Sequence, residues 1–187
     1  MKTSSKRFTL IELLVVIAII GILAGLVFPA LGVVRNNAKK SKASSECQSL
    51  KTAIIMYESE FSCWPAKTSG SSDALVSSTD YIEMCKILTG ENSKKMVFYE
   101  VGVGYDDNKG ILDPWGRPYQ VALDGDFDNV LKESSIPAIK EVNNVNGRGG
   151  QNLRSRVAVY SFGVNENEKD ASNIPTLAKK KKLVTSW

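Results

Sequence analysis

The 187-residue sequence contains no histidine, which removes the commonest general base and the commonest zinc ligand. Its three cysteines, Cys47, Cys63 and Cys85, show no C-x-x-C spacing, so the redox and zinc motifs built on that spacing fail too. Neither a G-x-S-x-G elbow nor a G-x-x-x-x-G-K-[ST] phosphate loop occurs, which leaves hydrolase and nucleotide-binding readings without their signatures. Charge of one sign is not in large excess: 24 Lys and Arg stand against 20 Asp and Glu. That near-balance argues against a nucleic-acid protein.

What the sequence does have is one long apolar run. Leu13 to Val34, LLVVIAIIGILAGLVFPALGVV, is entered through a single acid, Glu12. At about 1.5 Å per residue a helix of this length reaches roughly 33 Å, about the thickness of a bilayer's hydrocarbon core. The run therefore predicts a membrane span, with a buried core helix as the alternative. Ahead of it, MKTSSKR carries Lys2, Lys6 and Arg7 and no acid, like the charged head of an export signal. The apolar run nevertheless exceeds the roughly 7 to 15 residues of such a signal, and helical patterning continues past it. The segment is expected to be kept.

A carboxylate at the margin of a bilayer costs on the order of 3 kcal/mol unless it finds a partner. Glu12 is therefore expected to meet a positive charge at similar depth, the alternative being an interfacial acid that reaches headgroups. Gly21 and Gly25 form a small-xxx-small pair that permits close helix approach. Pro29 lacks a backbone donor and is expected to bend or loosen the helix. Basic residues flank the run on both sides, Lys2, Lys6 and Arg7 against Arg35, Lys39, Lys40 and Lys42, so charge alone does not orient it.

From Asn36 to Phe61 the pattern becomes amphipathic, with Cys47, Leu50, Ile54, Tyr57 and Phe61 at spacings of three and four. No breaker separates this segment from the apolar run, so one helix is expected from about Phe8 to about Ser62. Pro65 and the Ser/Gly run from Thr68 to Ser72 open a loop. A second helix is expected from Ala74 to Thr89, with Tyr81, Met84, Cys85 and Leu88 on one face and Gly90 at its stop. Met96 to Val101, Tyr119 to Leu123 and Val157 to Phe162 read as antiparallel strands covering the long helix. The fold class is thus α+β, divided into a leader (1–7), an apolar half-helix (8–34), an amphipathic half-helix (35–62) and a globular head (63–187) of a size suited to one small core.

Three further stretches carry candidate sites. In Leu112-Asp113-Pro114-Trp115-Gly116-Arg117-Pro118-Tyr119, Pro114 fixes φ, Asp113 can bond the backbone ahead and Gly116 can supply a positive φ; the simplest role is a structural turn with an anchored Trp115. Asp124, Asp126 and Asp128 alternate as oxygen ligands do in a calcium loop, yet the closing Glu of the twelve-residue loop is missing. A solvated turn is the alternative to a Ca2+ site there. Lys179 to Lys182 read as a solvated basic tail or a contact for an acidic neighbour, and the Asn- and Gly-rich Asn143 to Gly150 as a mobile surface loop.

Phe8-Thr9-Leu10-Ile11-Glu12-Leu13-Leu14-Val15 resembles the type IV prepilin signature shared by type IV pilins and the pseudopilins of type II secretion. Glu12, Gly21 and Pro29 match that family's acid, glycine and helix-bending proline. The resemblance implies cleavage by a prepilin peptidase between Arg7 and Phe8 and methylation of the new Phe8 amine, although the family prefers Gly where this chain has Arg7. Loss of the leader would leave 21 basic side chains against 20 acidic. It further implies that Glu12 pairs with the Phe8 amine of a neighbouring subunit, and that the fold is the pilin ladle. The Asp113-Pro114-Trp115-Gly116 stretch resembles the DPWG-x-PY segment of the major, G-type pseudopilin, with Leu88 to Asn92 and Ser161-Phe162-Gly163 as weaker echoes.

By that resemblance the chain sits in the bacterial inner membrane, N-terminus cytoplasmic and head periplasmic, before entering a pseudopilus fibre. Its implied partners are its own subunits, minor pseudopilins, the prepilin peptidase, the inner-membrane assembly platform and membrane lipid, with no nucleic acid. The G-type subunits bind calcium in a loop after a segment like Ser161-Phe162-Gly163. Here Asn165 stands where Asp is common and Lys182-Leu183 where acids are expected, so Glu166, Glu168 and Asp170 would have to substitute. With the head in the periplasm, Cys63 and Cys85 are the expected disulfide, a free core thiol being the alternative. The expected function is structural, not enzymatic: a pseudopilus subunit, with a surface type IV pilin as the second reading and a membrane-anchored enzyme or binding protein as the third.

Overall fold

A computed structural model describes residues 9–67, with the side chains of 26–30 left aside, and 72–102, 104–132, 134, 136, 138–139, 151–163 and 183–187. The chain divides into two compact units, Met1–Ala38 and Lys39–Trp187. Helix α1, Leu10–Phe61, contributes to both. It ends at Ser62, whose φ of 55° leaves the helical region and whose N–H still donates to the Glu58 carbonyl at 2.7 Å. In the first unit the apolar side chains from Leu10 to Leu23 are exposed around the helix. Among the described residues no helix is long and apolar enough to cross a membrane; the expected span over 13–34 includes 26–30, whose side chains lie outside the described set.

In the second unit α1 buries one stripe. Cys47, Leu50, Ala53, Ile54 and Tyr57 are all in the core, and Phe61 packs against its edge. Helix α2, Ser78–Leu88, buries Tyr81, Met84, Cys85 and Leu88 against the same core. Fully burying a Leu, Ile or Met of this kind contributes about 1.5 to 3 kcal/mol. The helix starts four residues later than Ala74, because Ser77 caps it by accepting from the Asp80 N–H at 3.2 Å. Ala74–Leu75 is instead a short strand, β1.

Strands β4, Gln120–Leu123, and β5, Val157–Ser161, form the centre of a four-stranded antiparallel sheet ordered β1-β4-β5-β6, where β6 is Val184–Thr185. Val121 pairs with Val159 and Ala122 with Ala158. Alternation sends Val121, Leu123, Val157 and Val159 to the helical core. Ala122, Ala158 and Tyr160 face the other way into a second cluster with Leu131, Ile136 and Ile139. The sheet is therefore covered on both faces, not only on the side of the long helix.

Two further expectations are corrected. Met96 to Val101 is not a strand: the Phe98 and Tyr99 N–H groups both donate to the Leu88 carbonyl at the end of α2, at 2.9 and 3.1 Å, and Phe98 sets its ring edge-on to Tyr57 and Phe61. A two-stranded hairpin of β2, Tyr105–Asp106, and β3, Gly110–Ile111, follows instead. The Cys63–Cys85 disulfide is not formed; all three cysteines are free, Cys63 exposed and Cys85 buried on the inner face of α2.

Candidate functional site

Three groups of sequence-predicted residues occupy three places. At the start of α1, Glu12 Oε2 accepts from the Thr9 N–H and from Thr9 Oγ1, both at 2.8 Å, while the Glu12 N–H donates to Thr9 Oγ1 at 3.3 Å. This is a capping box, T-x-x-E, that satisfies helix-end donors reciprocally. The signature is legible in Thr9-Leu10-Ile11-Glu12, so Glu12 is a helix cap as well as an isolated charge. Around it Ile11, Val15 and Val16 expose apolar surface. Gly21 lies on the same helix with open space where a Cβ would project. Arg7, Phe8 and the side chain of Pro29 lie outside the described residues.

The turn at 112–118 is closed by a bridge between Leu112 and Pro118. Asp113 is buried and organises it: Oδ1 accepts from the Trp115 and Arg117 N–H groups, each at 2.9 Å. The Asp113 N–H donates to the Arg117 carbonyl at 2.7 Å, and its carbonyl accepts from the Gly116 N–H at 2.9 Å. Gly116 adopts φ +82°, a conformation that side chains resist even where space is open. Asp113 Oδ2 accepts from Ser161 Oγ at 2.5 Å, Ser161 Oγ accepts from the Gly163 N–H at 3.0 Å, and an Arg117 guanidinium nitrogen donates to the Gly163 carbonyl. The structure thus joins the Asp113–Gly116 turn to Ser161-Phe162-Gly163, 48 residues apart in sequence at their Asp113–Ser161 contact.

The third group is acidic. Asp124 and Asp126 come together, but their third neighbour is Asp73, the residue immediately before β1; one carboxylate oxygen from each lies within 4.8 Å of the others. Asp128 turns aside, accepting from the Val130 N–H at 2.8 Å and approaching Lys132 Nζ at 3.5 Å. Lys132 Nζ also meets Asp126 Oδ2 at 2.5 Å. Burial holds the Asp124 carboxyl above the usual carboxylate range, whereas the Lys132 hydrogen bond holds Asp126 below it. Asp73 was missed because only the fold brings a residue some 50 positions away to Asp124. The Glu166, Glu168 and Asp170 alternatives lie outside the described residues.

The motif family described as the prokaryotic N-terminal methylation motif matches residues 8–28. The type II secretion system core protein G of Aeromonas hydrophila is 34% identical over 130 residues, covering 69% of this chain and 80% of that protein. The core protein G of Vibrio cholerae is 32% identical over 128 residues, covering 67% and 77%. A fimbrial protein of Neisseria meningitidis is 36% identical over 94 residues, covering 48% of this chain and 54% of that protein. No solved structure gives a significant match. With identity of this level across more than two thirds of the relatives' length, joined to a methylation motif that spans Glu12 and Gly21, the chain belongs to the type II secretion system core protein G family.

Proposed function

We propose that this chain is the structural subunit of a type II secretion pseudopilus, polymerising through its N-terminal helix to drive protein export, and that it carries no catalytic activity. The observation that carries the reading is the match to core protein G over 80% of that protein's length. The helix face supports it: Leu10, Ile11, Leu13, Leu14, Ile17, Ile20 and Leu23 are all more than half exposed, an apolar surface far beyond what an isolated soluble subunit leaves uncovered. In this reading residues 8–34 rest in the inner membrane before assembly, with the N-terminus cytoplasmic and the head periplasmic. A prepilin peptidase cuts between Arg7 and Phe8 and methylates the Phe8 amine, and the subunit then meets its own copies, minor pseudopilins and the assembly platform.

The fimbrial relative supports a second reading, a type IV pilin of a surface fibre, although the match reaches only 54% of that protein. Deleting the chain separates the two. Loss of exported proteins from the medium with surface motility and adhesion intact supports the pseudopilus; the reverse pattern refutes it. Mass spectrometry of the purified protein tests the processing step, which predicts a chain beginning at methylated Phe8.

A further inference from the structure

The buried carboxylates of Asp73 and Asp124 lack what buried anions need. Asp73 is 5% exposed and Asp124 is fully buried. In each, Oδ2 accepts one backbone N–H, from Lys132 at 2.7 Å and from Asn129 at 2.8 Å respectively. In each, Oδ1 is buried without any hydrogen-bond partner. Each of these two residues brings a carboxylate oxygen within 4.8 Å of the other and of Asp126, so two buried carboxyl groups meet a third whose side chain reaches solvent. Leaving anionic oxygens buried and unpaired costs several kcal/mol per ion. Lys132 answers only part of this, since its ammonium contacts Asp126 and Asp128 and makes no contact with Asp73 or Asp124.

We propose that Asp73, Asp124 and Asp126 hold a divalent, oxygen-coordinated cation, with Ca2+ as the ion of choice. Carboxylates are hard donors suited to Ca2+, which accepts them at about 2.3 to 2.6 Å in flexible geometry. Oxygens on opposite sides of such an ion lie at most about 5 Å apart, and all three donors fall within 4.8 Å of one another. The site is separate in sequence from the segment after Ser161-Phe162-Gly163, and it excludes Asp128.

The fold around it is built to bring the donors together. A Cβ on Gly125 would stand 2.1 Å from the Ser72 carbonyl oxygen, so only glycine there lets the chain before Asp73 lie against the turn that carries Asp124 and Asp126. That turn is pinned from outside: Trp64 Nε1 donates to the Asp124 carbonyl at 2.7 Å, and the Trp64 ring stacks on Phe127 at 5.6 Å. Phe127 and Asn129 hold positive φ angles of 59° and 65°, a strained loop that a bound ion would stabilise. The ion would tie the start of β1 to the end of β4.

The test uses the full-length chain in detergent micelles, stripped with EDTA and titrated with CaCl2, followed by calorimetry and by thermal melting. One saturable site and a rise in Tm on the order of 5 °C at millimolar calcium are expected. Asp126→Asn and Asp73→Asn, each checked for folding by its melt in EDTA, should weaken binding by roughly tenfold or more through lost ligand charge. Asp128→Asn should bind within about twofold of wild type, and so should a variant with Glu166→Gln, Glu168→Gln and Asp170→Asn combined. Absence of calcium binding overturns the proposal. Binding that survives both Asp126→Asn and Asp73→Asn, or that is lost in the combined 166/168/170 variant, overturns it equally.

Discussion

Ser161 Oγ donates to Asp113 Oδ2 at 2.5 Å inside the head, fastening the last residue of β5 to the turn that precedes β4. The same aspartate accepts two backbone N–H groups through its other oxygen, so one buried side chain holds both the shape of the turn and its place on the sheet. Asp113→Ala strands three donors and is expected to destabilise the head by about 2 to 4 kcal/mol. Ser161→Ala should cost about 1 to 2 kcal/mol. Because both act through one contact, the double variant should cost less than the two singles added. Urea denaturation of the four proteins checks this; strict additivity would show that the contact carries no energy.

What could be read from the sequence was whatever is local. The stripe from Cys47 to Tyr57 repeats at helical spacing and needs no partner to be recognised, and the Asp113-Pro114-Trp115-Gly116 chemistry specifies its own turn. Alternation at Val157 to Tyr160 marked β5, although the burial of Ala158 and Tyr160 under Leu131 and Ile139 depends on a segment with no pattern of its own. Strands β1 and β6 are two residues each, and they exist only because β4 and β5 offer edges to them. Met96 to Val101 has strand-like residues, yet its N–H groups are claimed by the carbonyl that ends α2. The acidic cluster was half legible for the same reason: Asp124 and Asp126 are neighbours in sequence, whereas Asp73 reaches them only through β1 pairing with β4.

The cysteines differ sharply in their surroundings. Burial pushes the Cys47 thiol up to about 12 and the Cys85 thiol up to about 11, so almost no thiolate is present in either at neutral pH, and the thiolate is the reactive form. Cys63 is exposed. Iodoacetamide on the native protein should therefore modify Cys63 alone, with Cys47 and Cys85 labelled only after denaturation. Peptide mass spectrometry reads the pattern. Native labelling of Cys85 at a rate near that of Cys63 would contradict its place in the core.

Gly125 faces a harder constraint than conformation. A methyl group there would overlap the Ser72 carbonyl oxygen, which is backbone and cannot swing away as a side chain would. Gly125→Ala is expected to cost about 1 to 3 kcal/mol, in the range of overpacked sites, and to separate β1 from β4 locally. Amide exchange should show it as faster exchange at Val76, whose N–H donates to the Val121 carbonyl at 2.8 Å, with the β4–β5 pairs unaffected.

Glu12 caps α1, and substitutions can separate that contact from the assembly role proposed for its charge. Its carboxylate caps α1 through Thr9, and in the proposed fibre its charge meets a positive group on a neighbouring subunit. Glu12→Gln keeps an oxygen that can accept from the Thr9 N–H but removes the charge, whereas Glu12→Leu removes both. If charge pairing governs assembly, both variants should insert in the membrane and both should fail to form fibres. A lost interaction of about 3 kcal/mol corresponds to roughly a hundredfold in association. If capping alone matters, Glu12→Gln should assemble like the wild type. Fibre yield from cells, measured beside the membrane-bound fraction of each variant, distinguishes the two outcomes, and normal fibres from Glu12→Leu would remove Glu12 from assembly altogether.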